Sequence, residues 1–277
     1  MALVYYPKKC VNIQYTKVLA SLIADLRVFL IHPCPKGCGP VECHIRRHVN
    51  AKWLLPTYML HFSNGDKFLL SARKHKKNEN NYVISLDEED MSKNTGNYFG
   101  KLRFNFMGSE YWFYDKGATL VHGNTPRLPI INERKEMGAI KYHLNILGLG
   151  GPRKMTAIIP SLDKDGNPHI FQPRPCGAPV ILDMFKRNKD REKMVVMQNM
   201  HPHWNKQLGA YCLNFNGRVT KPSVKNFQLI ADDYNYIILQ FGKIGRNFFT
   251  MDYQHPMSAL QAFAICLSSL DPKLVCE

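Results

Sequence analysis

The sequence predicts a mainly β protein, a barrel closed around one buried C-terminal helix, and three observations lead there. Between residues 27 and 255, short runs rich in β-branched and aromatic residues alternate with turn clusters at 63–66, 163–167 and 216–218. That texture belongs to sandwiches and barrels rather than to βαβ units. Residues 257–269 then carry no charge and place apolar side chains all round a helix, among them Met257, Leu260, Phe263, Ile265 and Leu267. A helix apolar on every side is buried on every side. The charge-free stretch at 256–270 falls short of the roughly 20 residues that span a bilayer, and a helix there is roughly 20 Å long, a height that a barrel encloses.

Taken in order, residues 1–14 show no pattern. In 15–28, Val18, Leu19, Leu22, Ile23 and Leu26 fall at helical spacing with Lys17, Asp25 and Arg27 off the stripe. This predicts an amphipathic helix lying on the outside of the domain, with docking to a partner as the alternative. Strands are predicted at 27–31, 41–47, 57–62, 67–74, 82–86, 100–106, 111–115, 139–146, 155–160, 169–173, 194–199, 211–215, 227–230 and 236–242. The segments 116–136 and 174–193 read as inserted loops. Pro256 suits the first turn of the final helix and Asp271-Pro272 ends it. The organisation is thus a short segment, 1–26, before one domain at 27–277.

Charge narrows the function. Lys and Arg number 37 against 22 Asp and Glu, a net +15 on a chain that is otherwise ordinary in its 45% hydrophobic content. Such an excess points to a polyanionic partner, either nucleic acid or an anionic membrane face. The eight cysteines are dispersed, and the apolar run 18–24 is followed directly by Asp25 and Arg27. No secretory signal is read there, so free thiols in a reducing compartment are expected. Cys34, Cys38, Cys43 and His44 lie close together but lack the paired CxxC spacing of a zinc site. They read as a turn with incidental cysteines.

Several apparent motifs fail on their chemistry. The 163–167 turn has its glycine at the fourth position and Arg174 at the twelfth, where a calcium loop needs glycine sixth and a bidentate Glu twelfth. The glycine-rich 148–155 lacks the GK[ST] ending of a phosphate loop. His201, His203 and Trp204 have no acidic or cysteine companion in sequence. No nucleophile, base and orienting group assemble, so a non-enzymatic protein without a cofactor is expected.

The cationic segments say more. In "GKLRFNFMG" (100–108), Lys101, Arg103 and Asn105 alternate with Leu102, Phe104 and Phe106, which predicts one cationic and one core-facing side. The run 72–81 holds Arg73, Lys74, His75, Lys76 and Lys77, and 133–136 offers Arg134. Three basic stretches on one sheet can converge on phosphate, with Arg as a planar fork and Lys as a point charge.

"NYFGKLRFNFMGSEYWFYDKG", "NILGLGGPRKM", "LNFNGRVTKPSVKNFQL" and the terminal "QFGKIGRNFFTMDYQHPMSALQAFAICLSSLDPKLVCE" resemble the carboxy-terminal domain of the tubby family, over roughly residues 27–277. The resemblance implies a twelve-stranded, closed, mostly antiparallel barrel with a hydrophobic helix threaded through it. It also implies binding of phosphatidylinositol 4,5-bisphosphate. By motif position the family's phosphate ligands fall on Lys101 and Arg103, on Arg134 (eleven residues before Asn145) and on Asn81. Phe104 stands where the family usually has a small residue, and His75 where it has Lys or Arg. The expected function is a monomeric, membrane-targeting adaptor, peripheral at the cytoplasmic face of the plasma membrane. It would link membrane-protein cargo to trafficking, with nucleus and cilium as further locations. The alternatives are a nucleic-acid-binding transcription regulator and a protein–protein adaptor acting through the helix at 15–28.

Overall fold

The computed structural model describes residues 25–49, 55–74, 80–117, 134–143, 153–174, 178–206 and 210–272. Most of the expected helix at 15–28 lies outside these residues, as do His75, Lys76 and Lys77 and most of the loop at 116–136.

Twelve strands close into a barrel. They are β1 (Val41–His48), β2 (Thr57–Phe62), β3 (Phe68–Lys74), β4 (Asn81–Ser85), β5 (Tyr98–Phe104), β6 (Glu110–Asp115), β7 (Glu136–Tyr142), β8 (Met155–Pro160), β9 (Met194–Asn199), β12 (Phe227–Ile230), β13 (Leu239–Lys243) and β14 (Phe248–Tyr253). Neighbours pair antiparallel in chain order from β1 to β9, then through β12, β13 and β14 back to β1. Closure leaves no open edge among them. The pair β10 (His203–Asn205) and β11 (Ala210–Cys212) forms a separate two-stranded sheet.

The inside of the barrel holds α3 (Ala259–Leu270), every residue of which is buried. Ser258 Oγ accepts the Gln261 N–H at 3.3 Å, and Gln261 Oε1 accepts the Ser258 N–H at 2.8 Å. This capping box satisfies donors that the interior would otherwise orphan. The other end is held by cations from three places. Arg153 Nη1 donates to Ser269 O (3.2 Å) and Lys225 Nζ to Leu270 O (3.1 Å). Asp271 accepts from Tyr82 Oη (2.6 Å), Tyr111 Oη (3.0 Å) and Lys74 Nζ (2.7 Å). Positive charge at a helix C-terminus complements its dipole, and each bond spares a buried carbonyl or carboxylate.

Several sequence expectations are corrected. Residues 27–31 are not a strand but part of α1 (Leu26–Ile31), because Asp25 Oδ1 accepts the N–H groups of Arg27 and Val28 and caps a helical turn. Phe29 and Leu30 then join the barrel core. β10 and β14 add strands to those expected, β10 at His203 and Trp204, which read as a surface loop, and 169–173 forms none. Cys43 points into the barrel, fully buried, whereas the next residue, His44, faces out. Adjacent strand residues cannot share one ion, so these two are not co-ligands. The described cysteines are free.

The 174–193 segment is not a plain loop. It contains α2 (Val180–Lys186), which packs Ile181 and Leu182 on the outside of the barrel against Ala139, Ile158, Phe171 and Met194. The buried Glu136 accepts the first N–H groups of α2, from Val180 (2.8 Å) and Ile181 (3.1 Å). Burial nonetheless raises its carboxyl to about 7, with those two bonds and Arg174 pulling the other way. A carboxyl whose folded value lies above its unfolded one gives stability that is complete below about 4.5 and lost as pH rises through about 7. Glu136→Gln is therefore expected to flatten urea-denaturation stability between pH 5 and 8, where the native chain loses up to about 3 kcal/mol. Parallel pH curves for the two proteins would contradict this.

Candidate functional site

The cationic face forms on β4, β5 and β6. Lys101 and Arg103 are half-buried, while Leu102 and Phe104 between and beyond them are buried inward. Register sets their companions on the outer face. Asn81 of β4 lies opposite Arg103, and Val83 opposite Lys101. On the other side Trp112 lies opposite Arg103, and Tyr114 opposite Lys101. The row continues across β3, where Arg73 lies opposite Val83. Arg73 is only 8% exposed, and burial lowers its pKa, with Glu89 opposing.

Arg134 reaches this face from the chain just before β7. Asp115 Oδ1 accepts the N–H groups of Gly117 (3.0 Å) and Lys135 (2.9 Å), and Arg134 Nε donates to Gly117 O at 3.0 Å. Asp115 thus clamps both ends of the intervening segment, and Arg134 is positioned by that clamp. Tyr114 of β6 is buried opposite Lys101. Burial raises its phenol pKa most and Glu136 adds to the rise, while Arg103 and Arg134 both act to lower it.

All four expected site residues lie on adjoining strands or beside them, on one outer face. Among the described residues Arg103 forms no ion pair. Arg73 was legible as part of a basic run, but its place in the row of Lys101 comes only from register. Lys74, from the same run, faces the other way and is consumed by Asp271; its Nζ sits 4.8 Å from the Phe104 ring centroid. Phe104 is 8% exposed and packs on Tyr111, with ring centroids 5.2 Å apart. The bulky residue in the motif therefore fills the interior and lies on the face opposite Lys101 and Arg103.

Gly100 has a steric reason. A Cβ there would meet the Tyr114 carbonyl oxygen at 2.6 Å, so β5 and β6 approach too closely for a side chain just before Lys101. Phe106 does not follow the alternation. β5 ends at Phe104, the chain turns at Asn105, and Phe106 is 81% exposed rather than packed toward the central helix.

A separate group lies on β1 and β2. His44 and His61 face each other across the strands with stacked rings 5.3 Å apart. His44 Nε2 and Asp66 are 2.9 Å apart, and all three offer ligand atoms within 4.8 Å of one another. Asp66 is shared with Arg46 at 2.5 Å, and that guanidinium opposes a cation there. Burial lowers the pKa of both histidines.

The family model described as the Tub family matches residues 30–272. Tubby-related protein 1 of Mus musculus is 40% identical over 260 residues, covering 92% of this chain and 47% of that protein. Tubby-related protein 3 of Homo sapiens is 40% identical over 262 residues, 92% of this chain and 58% of that protein. Protein king tubby of Drosophila virilis is 40% identical over 264 residues, 93% of this chain and 56% of its own. The chain spans about half the length of these relatives.

Proposed function

Because the chain belongs to the Tub family, we propose that it is a non-enzymatic phosphoinositide-binding module that brings its cargo to an anionic membrane. The supporting observation is the outer-face row set by strand register, with Asn81 opposite Arg103 and Tyr114 opposite Lys101, and with Arg134 tied to Gly117 O just past the end of β6. Two guanidinium forks, an ammonium and a carboxamide suit a pair of neighbouring phosphates on a rigid ring. Phosphatidylinositol 4,5-bisphosphate is the lipid this arrangement fits. The barrel contributes rigidity: Gly100 sets the strand spacing and Asp115 sets Arg134, so the cations are preorganised. The net +15 adds attraction to the anionic leaflet, of about 1 kcal/mol for each well-placed Lys or Arg.

The cytoplasmic face of the plasma membrane follows as the site of action, with membrane-protein cargo as partner. A vesicle panel across the phosphoinositides tests the reading. Binding should be strongest where the 4- and 5-phosphates are adjacent and should be displaced by soluble inositol trisphosphate at far lower concentration than by duplex DNA. Equal binding to all anionic vesicles, or preferential displacement by DNA, would overturn it in favour of nonspecific or nucleic-acid binding.

A further inference from the structure

We propose that the turn at 105–108 is a membrane-inserting tip, whose Phe106 and Met107 enter the interfacial layer of an anionic bilayer. The proposal rests on the lipid-binding reading above and adds a second point of attachment to it. Phe106 is 81% exposed, the most exposed large apolar side chain among the described residues, and Met107 beside it is 46% exposed. Two adjacent apolar side chains at the apex of a tight turn are unusual, since such positions favour Gly, Asn, Asp and Ser.

The turn is held open by its own hydrogen bonds. Asn105 Oδ1 accepts the N–H groups of Ser109 (2.9 Å) and Glu110 (3.2 Å), and Asn105 Nδ2 donates to Ser109 Oγ (2.9 Å). The Gly108 N–H donates to Asn105 O and the Asn105 N–H to Glu110 O, both at 3.0 Å. Gly108 takes the positive φ of 65° that the turn needs. These bonds satisfy the polar groups at the base of the turn and fix its shape, while the backbone groups of Phe106 and Met107 at the apex stay free to bond water and lipid headgroups in the interfacial layer. The apolar pair is therefore presented outward at little ordering cost.

Its surroundings select a bilayer. Arg103 lies three residues before Phe106, a reach of at most about 10 Å along the chain. Asn81, opposite Arg103, brings β4 to the same end of the barrel. The nearby acidic groups are neutralised: Glu110 by Lys186 at 2.6 Å and Asp271 by Lys74 at 2.7 Å. The cleft beside the tip is lined by Lys74, Asn80 and Phe104 together with Phe106 and Met107. An apolar tip next to a cationic face matches the layered chemistry of an anionic membrane, with apolar side chains entering about 5–10 Å and cations staying at the headgroups.

The test uses the full chain carrying Phe106→Ser and Met107→Ser together. Affinity for vesicles containing phosphatidylserine and phosphatidylinositol 4,5-bisphosphate should fall by about tenfold or more, while calorimetric affinity for soluble inositol trisphosphate stays unchanged. In a second measurement, the added emission of Phe106→Trp should be quenched by vesicles with brominated acyl chains. A native chain that binds both headgroup and vesicles, with a variant weakened less than about twofold or an unquenched tryptophan, overturns the tip alone. A variant that keeps vesicle binding but loses a protein partner overturns it in favour of a protein occupant. A native chain that binds neither headgroup nor vesicle overturns the lipid reading, and the tip with it.

Discussion

Replacing Lys101 and Arg103 together by Ala should reduce vesicle binding to the level seen without phosphoinositide and leave the fold intact. Each charge-assisted hydrogen bond to phosphate is worth about 1.5–3 kcal/mol, so two lost cations weaken binding by a factor on the order of 100 to 10,000. Stability should barely change. Both side chains are half-buried on the outer face, and among the described residues Arg103 pairs with no carboxylate that its loss would strand. Calorimetry with soluble inositol trisphosphate, vesicle sedimentation and near-UV circular dichroism together separate the effects. Unchanged headgroup affinity in a folded double variant would remove these residues from the site.

The second large effect concerns the barrel end. Asp271→Ala should cost about 3–5 kcal/mol of unfolding free energy, the range for breaking a buried ion pair by deleting one partner. Asp271 is 1% exposed and joins β3, β4 and β6 to the end of α3 through Lys74, Tyr82 and Tyr111. Its removal strands the Lys74 ammonium between the Tyr82 and Phe104 rings, 5.5 and 4.8 Å from their centroids. It also leaves two buried hydroxyls without their acceptor. Combining Asp271→Ala with Lys74→Met removes the stranded charge and should recover part of the loss. Urea midpoints of the single and double variants read the difference. A loss below about 1 kcal/mol in the single variant would mean that this carboxylate does not lock the helix in place.

The central helix and the cationic strand were legible because each is a local pattern. A charge-free stretch of apolar residues can only be buried, and Lys101 and Arg103 alternate with Leu102 and Phe104 in a two-residue period that survives folding unchanged. Local pattern misled where an element's end or type depended on neighbours. Residues 27–31 are short, apolar and β-branched, which suits strand or helix equally; the Asp25 cap and the packing of Phe29 and Leu30 decided for helix. Phe106 continues the strand period in sequence, but the Asn105 bonds end the strand first.

What the sequence by itself determined was therefore the class of the fold, the two faces of the strand that carries Lys101 and Arg103, and the sign of the charge available to a ligand. These follow from side-chain chemistry repeated along one element. Only the tertiary structure decided which cations meet. Ring closure sets the register that puts Asn81 opposite Arg103 and Arg73 in the row of Lys101, and the Asp115 clamp brings Arg134 toward Tyr114. The pleat alone turns Lys74 to the face opposite Arg73, but that an acid from the end of the central helix meets it there is decided by the tertiary structure. Convergence is a property of pairings between distant segments, and no single segment encodes its partner's register.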